Sequence, residues 1–190
     1  MNYHPPDLVR RNSSAFVRPM DVVHEAAVPA AARSYQIVPS QMAHVYQLAA
    51  RMRDEDRKEI EATGLPVIHA VRDSFKCSTL RCTAFVGPDI AAMWGLGGAF
   101  LSDVGQPWLL TTPAAERVPF SYLREGRVQV QAMLTRRRYL ENYVPASYAR
   151  ACRFLVLLGF TLEQPAPYGP KGVLFHRFWM GTPPTPSKDH

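Results

Sequence analysis

Arginine is the residue type in this sequence that points most clearly to a binding chemistry. The 190 residues contain 22 Lys or Arg and 16 Asp or Glu, for a net charge of +6. The excess lies in residues 113–190, which hold 11 basic and 5 acidic side chains, whereas residues 1–112 hold 11 of each. A guanidinium pairs well with phosphates and carboxylates. The run Arg136, Arg137 and Arg138 is therefore a candidate contact for an anionic partner.

Few side chains qualify as catalytic groups. Glu116 and Asp103 could accept protons, but their spacing is typical of solvated surface carboxylates. His69 has no evident partner, and His176 lies in an aromatic segment that indicates packing. The sequence therefore predicts no catalytic residue.

The cysteines and glycines indicate structure more than chemistry. Cys77, Cys82 and Cys152 form no CxxC pair and have no neighbouring histidine pair, so they predict reduced thiols and no metal site. The cluster from Gly95 to Gly98 predicts a hairpin or bulge rather than a phosphate cradle. No apolar run approaches the about 20 residues of a membrane helix, and the N-terminus lacks an apolar signal-peptide core. A cytosolic origin without membrane contact is expected.

A mixed set of helices and strands would position these side chains. Alternating apolar patterns predict strands over residues 35–38, 80–86, 90–95, 108–112, 139–144 and 174–180. Helices are predicted after Ser40 and Asp54, within 66–74, and after Pro113 and Pro145. The links among the second, third and fourth strands are too short for crossovers. The pattern predicts an α/β fold with a mixed, mostly antiparallel central sheet flanked by helices.

Three segments are expected along the chain. Residues 1–34 and 181–190 are polar and rich in proline, so they predict an extended N-terminal arm and a C-terminal tail. Residues 35–180 would form the folded domain. Within it, Ser40 is expected to cap the first helix, and the helical region after Pro113 is expected to be interrupted at Pro119, with Gly126 as a candidate for a second break.

The segment from Asn142 to Phe160 resembles a late motif of the GNAT (GCN5-related N-acetyltransferase) fold. It reads as a strand ending in Asn142, a helix over 150–158 and an exit through Leu158, Gly159 and Phe160. The resemblance covers about residues 35–180. Gly159 would supply the left-handed exit from the helix, and Phe160 would fold back against it.

The resemblance also implies where a cofactor would bind. GNAT enzymes hold acetyl-CoA between two splayed strands, with the pyrophosphate on amides of a glycine-containing loop at a helix N-terminus. The equivalent place here reads TTPAAERVPF, without glycine, and Pro113 lacks an amide donor. If CoA binds, the resemblance implies the following contacts: Leu110, Thr111, Thr112, Arg117 and Asn142.

The general acid of many such enzymes is also missing. The resemblance places a tyrosine four residues before Gly159, where its hydroxyl could protonate the leaving thiolate. That position is Leu155, and neither Tyr143 nor Tyr148 fits the motif. The sequence therefore predicts the scaffold without its chemistry, and no cofactor.

A narrower resemblance concerns RMRDEDRKEIEATG near the start, AMWGLGG and PWLLTT in the middle, and LENYV, FLVLLGF and FHRFWM at the end. They are similar to the small GNAT-like internal virion proteins of short-tailed phages. The expectation is a non-catalytic virion structural protein, located in the virion and, during assembly, in the host cytoplasm. It would belong to an oligomeric assembly, with portal, tail or internal proteins as partners and packaged DNA as a secondary one.

Two other functions stay open. The first is an acetyl-CoA-dependent N-acetyltransferase with a degenerate loop, since direct attack by a positioned amine needs little beyond orientation and polarisation of the thioester. The second is a nucleic-acid-binding module, which rests on the basic C-terminal half and on the arginine run.

Overall fold

The computed structural model describes residues 35–62, 64–99, 102–118 and 121–184. The arm predicted for residues 1–34 and the tail from residue 185 onward lie outside this part of the chain. The strands are β1 (Tyr35–Pro39), β2 (Leu80–Val86), β3 (Asp89–Gly97), β4 (Val104–Thr111), β5 (Tyr139–Pro145), β6 (Thr161–Leu162), β7 (Ala166–Tyr168) and β8 (Val173–Gly181). The helices are α1 (Met42–Arg51), α2 (Asp54–Ala62), α3 (Val67–Lys76), α4 (Ser121–Leu134) and α5 (Ala149–Leu158), with a short 3-10 helix at Pro113–Arg117.

One sheet runs through the molecule in the order β1-β2-β3-β4-β5-β8-β6, with β7 also paired to β8. All its pairings are antiparallel except that of β4 with β5. The predicted fold class, a mixed and mostly antiparallel sheet flanked by helices, is confirmed. The parallel junction lies at the centre of the sheet, where two neighbouring strands run in the same direction and interrupt the antiparallel alternation.

Each face of the sheet buries its own apolar cluster. On one face, α1, α2 and α3 cover a cluster that includes Val45, Val71 and Met93. On the other face, α4 and α5 cover a cluster that includes Leu140 and Phe178. Helices on both faces shield the central strands from water, so β3 is buried along almost its whole length. No helix among the described residues is long and apolar enough to cross a membrane.

The first helix begins one residue later than expected. Gln41, not Ser40, is the residue before α1. Ser40 instead lies 2.8 Å from Thr83, with the two hydroxyl oxygens hydrogen-bonded. A contact with β2, more than 40 residues away in the sequence, therefore decides the role of this serine.

The predicted hairpin or bulge is wrong for residues 95–97, which lie inside β3, whereas Gly98, with φ at 117°, begins the link between the antiparallel strands β3 and β4. A Cβ at Gly95 would lie 2.7 Å from the Leu80 carbonyl oxygen and 2.7 Å from the Trp108 ring. Glycine is therefore needed there for close packing beneath an indole rather than for a turn.

The helical region after Thr112 consists of two elements. The 3-10 helix ends at Arg117, and α4 then runs through Gly126 without a break. A Cβ at Gly126 would lie 2.8 Å from Leu158 Cδ2, so this glycine allows α4 and α5 to approach closely. The possible break at Gly126 was therefore a wrong interpretation of a packing glycine.

Candidate functional site

The central feature is a cleft between the parallel strands β4 and β5. Their paired register contains Val104 with Tyr139 and Gly105 with Leu140. Beyond that point the strands diverge, and a cavity of about 510 Å³ opens between them. At the closed end, a Cβ on Gly105 would lie 3.0 Å from Leu140 Cδ2 of β5. The strands therefore approach closely at Gly105 and separate immediately after it.

Pro107 explains why the strands separate. Its carbonyl accepts a hydrogen bond from Asn142 Nδ2 at 3.0 Å, so this edge of the residue faces β5. In an extended strand, the amide and carbonyl of one residue face the same neighbour. The nitrogen that would donate a hydrogen bond to β5 therefore belongs to a proline and has no hydrogen. The hydrogen-bond ladder between β4 and β5 ends there.

Asn142 closes the inner end of the cleft. Its Nδ2 donates to Pro107 and its Oδ1 accepts from the amide of Tyr143 at 2.9 Å. The residue lies in the middle of β5, which continues to Pro145, so the expectation of a strand ending in Asn142 is wrong. Residues 146–148 separate β5 from α5, and Tyr148 directly precedes the helix.

Asn142→Ala is expected to lower the free energy of unfolding by about 1 kcal/mol, because it leaves the Pro107 carbonyl without its donor. Urea denaturation at neutral pH measures the change. Gln106→Ala is a suitable control, because it changes an exposed side chain of β4 directly before Pro107. Equal stabilities of Asn142→Ala and the unmodified protein would show that the side chain does not hold the strands at this point.

The other cofactor contacts suggested by the sequence are in different environments. Leu110 and Thr111 line the cleft, as does Asn142. Thr112 is only 2% exposed; its hydroxyl donates to the Ile90 carbonyl at 2.5 Å and accepts from the Ala114 amide at 3.1 Å. Thr112 is thus a helix cap. Whether these residues contact a cofactor stays a prediction.

Arg117 and the suggested proton acceptors are spread apart. Arg117 pairs with Asp89 at 2.6 Å, on the surface at the start of β3. Asp103 is exposed at the closed end of the cleft, next to β4. Glu116 lies at the open end and pairs with two arginines. Leu155 lines the cleft from α5 and packs against the adjoining core, consistent with an apolar role.

Two carboxylates on α2 were missed by the sequence analysis. Asp56 and Glu59 are three residues apart, so they lie on the same side of the helix, and both line the cleft. Asp56 is 4% exposed, and its Oδ2 accepts from the Thr111 amide at 2.7 Å and the Thr111 hydroxyl at 2.6 Å. Burial raises the pKa of Asp56 above its usual range, while the Thr111 hydrogen bonds oppose that rise.

Glu59 is the group best suited to accept a proton. It is half-buried at the wall of the cleft. Burial, reinforced by the neighbouring charge of Asp56, raises the pKa of Glu59 to about 8. A carboxylate whose pKa lies near the working pH is an effective general base, because it is available in its ionised form and holds a proton well.

Tyr148 connects this acidic pair to the other wall. Its hydroxyl is hydrogen-bonded to Asp56 and to Arg53. Burial and the charge of Asp56 raise the pKa of Tyr148 to about 12, so the phenol keeps its proton at neutral pH. Tyr148 therefore positions Asp56 by a hydrogen bond across the cleft and is poorly suited to act as a general acid.

One signal in the sequence could have identified the acidic pair. The segment DEDRKEIEA of α2 reads as a solvated charge run, yet Asp56, Glu59 and the apolar Ile60 have the spacing of a single helix face. Ile60 is buried, which directs this face inward. A carboxylate next to an inward-facing apolar residue is a candidate for a perturbed pKa.

The arginine run lies away from the cleft opening. Arg136, Arg137 and Arg138 form the turn between α4 and β5, at the closed end. Arg136 Nη1 donates to the Ala132 carbonyl at 3.0 Å. Contact of this run with nucleic acid or another partner stays a prediction.

The structure offers no metal centre in its described ranges, where no three His, Cys, Asp or Glu side chains are grouped as a metal would require. Cys77, Cys82 and Cys152 are free thiols. Burial raises the pKa of the Cys82 and Cys152 thiols, which disfavours the reactive thiolate.

Comparison with known proteins identifies the fold. No protein-family model matches the sequence, and no curated protein matches it. Solved structures do match. A GNAT-family acetyltransferase from Streptococcus pneumoniae has a TM-score of 0.55 at 15% identity, covering 78% of this chain and 99% of that one. A GNAT-family acetyltransferase from Bacillus anthracis has a TM-score of 0.58 at 9% identity, covering 79% and 96%.

A third similar structure contains ligands. It is a spermidine N-acetyltransferase from Vibrio cholerae in complex with CoA and spermine, with a TM-score of 0.55 at 9% identity, covering 77% of this chain and 95% of that one.

These neighbours overturn the expectation of a non-catalytic phage virion protein. They are acetyltransferases, and nothing among them links the chain to internal virion proteins. The expectation of no cofactor is likewise unsupported, because a neighbour of the same fold binds CoA. Portal, tail and DNA partners, assembly into an oligomer and a location in the virion or host cytoplasm stay untested predictions. The splayed β4–β5 pair and the matching structures together establish that the chain has the fold of the GNAT acetyltransferases.

Proposed function

We propose that this chain is an N-acyltransferase that moves an acyl group from an acyl-CoA to an amine. The observation that carries the proposal is Glu59, a half-buried carboxylate of raised pKa in the wall of the cleft between the splayed strands. The fold alone does not decide function. A suitably placed proton acceptor in the fold's central cleft adds the chemistry that the fold leaves open.

The cleft has room and backbone groups for the acyl-bearing arm of CoA. Its volume of about 510 Å³ lies within the range of small-molecule sites. Leu109 has the same orientation along β4 as Pro107, two residues earlier, so its amide and carbonyl also face the cleft. The arm's amide groups could pair with this strand edge.

Each step of the reaction can be assigned to a group. Acyl-CoA supplies an activated thioester when bound. Glu59 takes a proton from the ammonium form of the acceptor, which frees the nitrogen lone pair to attack the thioester carbon. The new C–N bond replaces the C–S bond, and the second proton leaving the nitrogen neutralises the departing thiolate. Thr111 and Tyr148 hold Asp56 beside Glu59, and burial together with the charge of Asp56 keeps the pKa of Glu59 high.

The surroundings of Glu59 favour a cationic acceptor. Asp56 and Glu59 place two carboxylates on one wall, and Tyr143 presents an aromatic ring on the other. Tyr143 stacks on Tyr168 with ring centroids 4.1 Å apart. Carboxylates with an aromatic face attract ammonium groups. The spermidine acetyltransferase of the same fold, solved with spermine, is consistent with an amine acceptor.

The β7–β8 hairpin supports this side of the cleft. Lys171, in the hairpin turn, donates through Nζ to the carbonyl of Glu61 at the end of α2, at 3.1 Å. The hairpin thereby fixes Tyr168 behind Tyr143, opposite the acidic face of the helix.

A panel of amines with acetyl-CoA tests the proposal. We expect time-dependent release of CoA thiol, together with an acetylated product detected by mass spectrometry, for at least one primary amine among diamines, polyamines, amino acids and peptide N-termini. Thiol release without an acylated amine would indicate hydrolysis. Failure of every amine class, with acetyl-CoA bound to the protein, would refute the proposed activity and leave a binding function.

A further inference from the structure

The open end of the cleft is bridged by a carboxylate. Glu116 Oε1 lies 3.0 Å from Arg53 Nη2 and 3.5 Å from Arg150 Nη1. Glu116 belongs to the 3-10 helix that follows β4, and Arg150 to the first turn of α5, which follows β5. The bridge therefore joins the two walls of the cleft at its mouth.

Arginine side chains provide positive charge at the open end of the cleft. Arg53, Arg150 and Arg153 all line the cleft. The segment after β4 contains no glycine, and its first helical position is Pro113, which has no amide hydrogen. A phosphate entering here would meet arginine side chains more readily than a cradle of backbone amides.

We propose that Glu116 is an internal competitor for the phosphate groups of CoA. In the free protein its carboxylate occupies the Arg53–Arg150 pair, and in the complex the phosphates take its place. This inference rests on the proposed function, because it assumes that the cleft binds CoA.

The two arginines are suited to such an exchange for different reasons. Arg53 is only 9% exposed, and its Nε donates to the Thr112 carbonyl at 3.2 Å, so its position is fixed before any ligand arrives. The Arg150 and Glu116 side chains are 62% and 63% exposed. An ion pair this open to water is weak and easily exchanged, whereas a phosphate can accept two parallel bonds from one guanidinium.

Titration calorimetry with CoA and the 190-residue chain tests the inference. Glu116→Gln keeps the side-chain shape and removes the competing charge, so we expect the Kd for CoA to fall by about three- to fivefold. Arg150→Gln removes a phosphate partner and is expected to raise the Kd by about tenfold. Asp73→Asn and Arg72→Gln make the same charge changes on the outer side of α3, and should each leave the Kd within about twofold.

The double variant Glu116→Gln, Arg150→Gln separates the bridge from general charge repulsion. If Glu116 acts by occupying Arg150, the gain from Glu116→Gln should shrink when Arg150 is absent. An undiminished gain, or no gain in the single Glu116→Gln variant, would overturn the inference while leaving acyl transfer intact. Absence of CoA binding in every variant, the unmodified protein included, would overturn the proposed function and this inference with it.

Discussion

Glu59→Gln should reduce kcat for acyl transfer by about 100-fold or more. A positioned general base contributes roughly 10²–10⁴ in rate, and the amide keeps the shape of Glu59 without its ability to take a proton. Initial rates of CoA release at saturating acetyl-CoA and amine measure the loss. Affinity for acetyl-CoA should stay close to that of the unmodified protein, because Glu59 is placed on the acceptor side of the transfer.

The dependence of the rate on pH distinguishes the loss of a base from a general loss of structure. The pKa of Glu59 is raised to about 8, so the rate for the unmodified protein should rise with pH and level off above that value. The inflection should vanish in Glu59→Gln. Glu55→Gln alters an exposed carboxylate on the same helix and is the matched control. An unchanged inflection in Glu59→Gln would assign the base to another group.

The same substitution should change stability in a pH-dependent way. A raised folded-state pKa means that the contribution of Glu59 is fully favourable below the unfolded pKa and is lost as pH rises toward 8. Glu59→Gln should therefore leave stability nearly unchanged at pH 4, yet raise the free energy of unfolding by about 1–3 kcal/mol at pH 9, discounted because Glu59 is only half-buried. Urea denaturation at the two pH values measures the difference.

Asp56→Ala should lower the free energy of unfolding by about 3 kcal/mol at neutral pH. The carboxylate is 4% exposed and accepts hydrogen bonds from the Thr111 amide, the Thr111 hydroxyl and Tyr148. Removing the carboxylate leaves several buried donors without an acceptor and leaves the buried Arg53 with less compensating charge. The effect therefore exceeds the value of a single hydrogen bond.

Chemical denaturation of Asp56→Ala measures the loss, with Asp54→Ala on the exposed side of α2 as the control. The variant should also lower the pKa of Glu59, because the charge of Asp56 helps to raise it. Carboxyl NMR titration gives that shift directly. A stability within about 0.5 kcal/mol of the unmodified protein would mean that Asp56 does not hold the two walls together.

Local patterns were sufficient to predict much of the fold. Alternation placed β2 at residues 80–86, with the bounds that the structure has. Gly159 ends α5 in the left-handed conformation, with φ at 103°, and Phe160 is buried behind it. Both features depend on neighbours in the sequence, so a short segment contains the information that specifies them.

The cleft itself depends on contacts that no local pattern contains. Pro107 ends the ladder only because β5 lies beside it, and Asn142 reaches its carbonyl across 35 residues of sequence. Asp56 is 55 residues from its partner Thr111. The acidic helix looked solvated because periodicity cannot say which neighbour will cover a polar face.

Strands β6 and β7 were missed for a related reason. Segments β6 and β7 contain two and three residues and pair with successive parts of β8, so together they form an interrupted edge strand. Runs this short, with Pro167 in one of them, carry no readable alternation. They adopt a strand conformation because the backbone of β8 provides their pairing partner.

Equilibrium titration with acetyl-CoA tests most directly whether the cleft between β4 and β5 is an acyl-CoA site. We predict saturable binding of one ligand per chain, and a ligand concentration of 100 times the Kd should raise the free energy of unfolding by about 2.7 kcal/mol. Calorimetry gives the first quantity and thermal unfolding the second. Absence of both binding heat and thermal stabilisation at millimolar acetyl-CoA would contradict the assignment of this cleft.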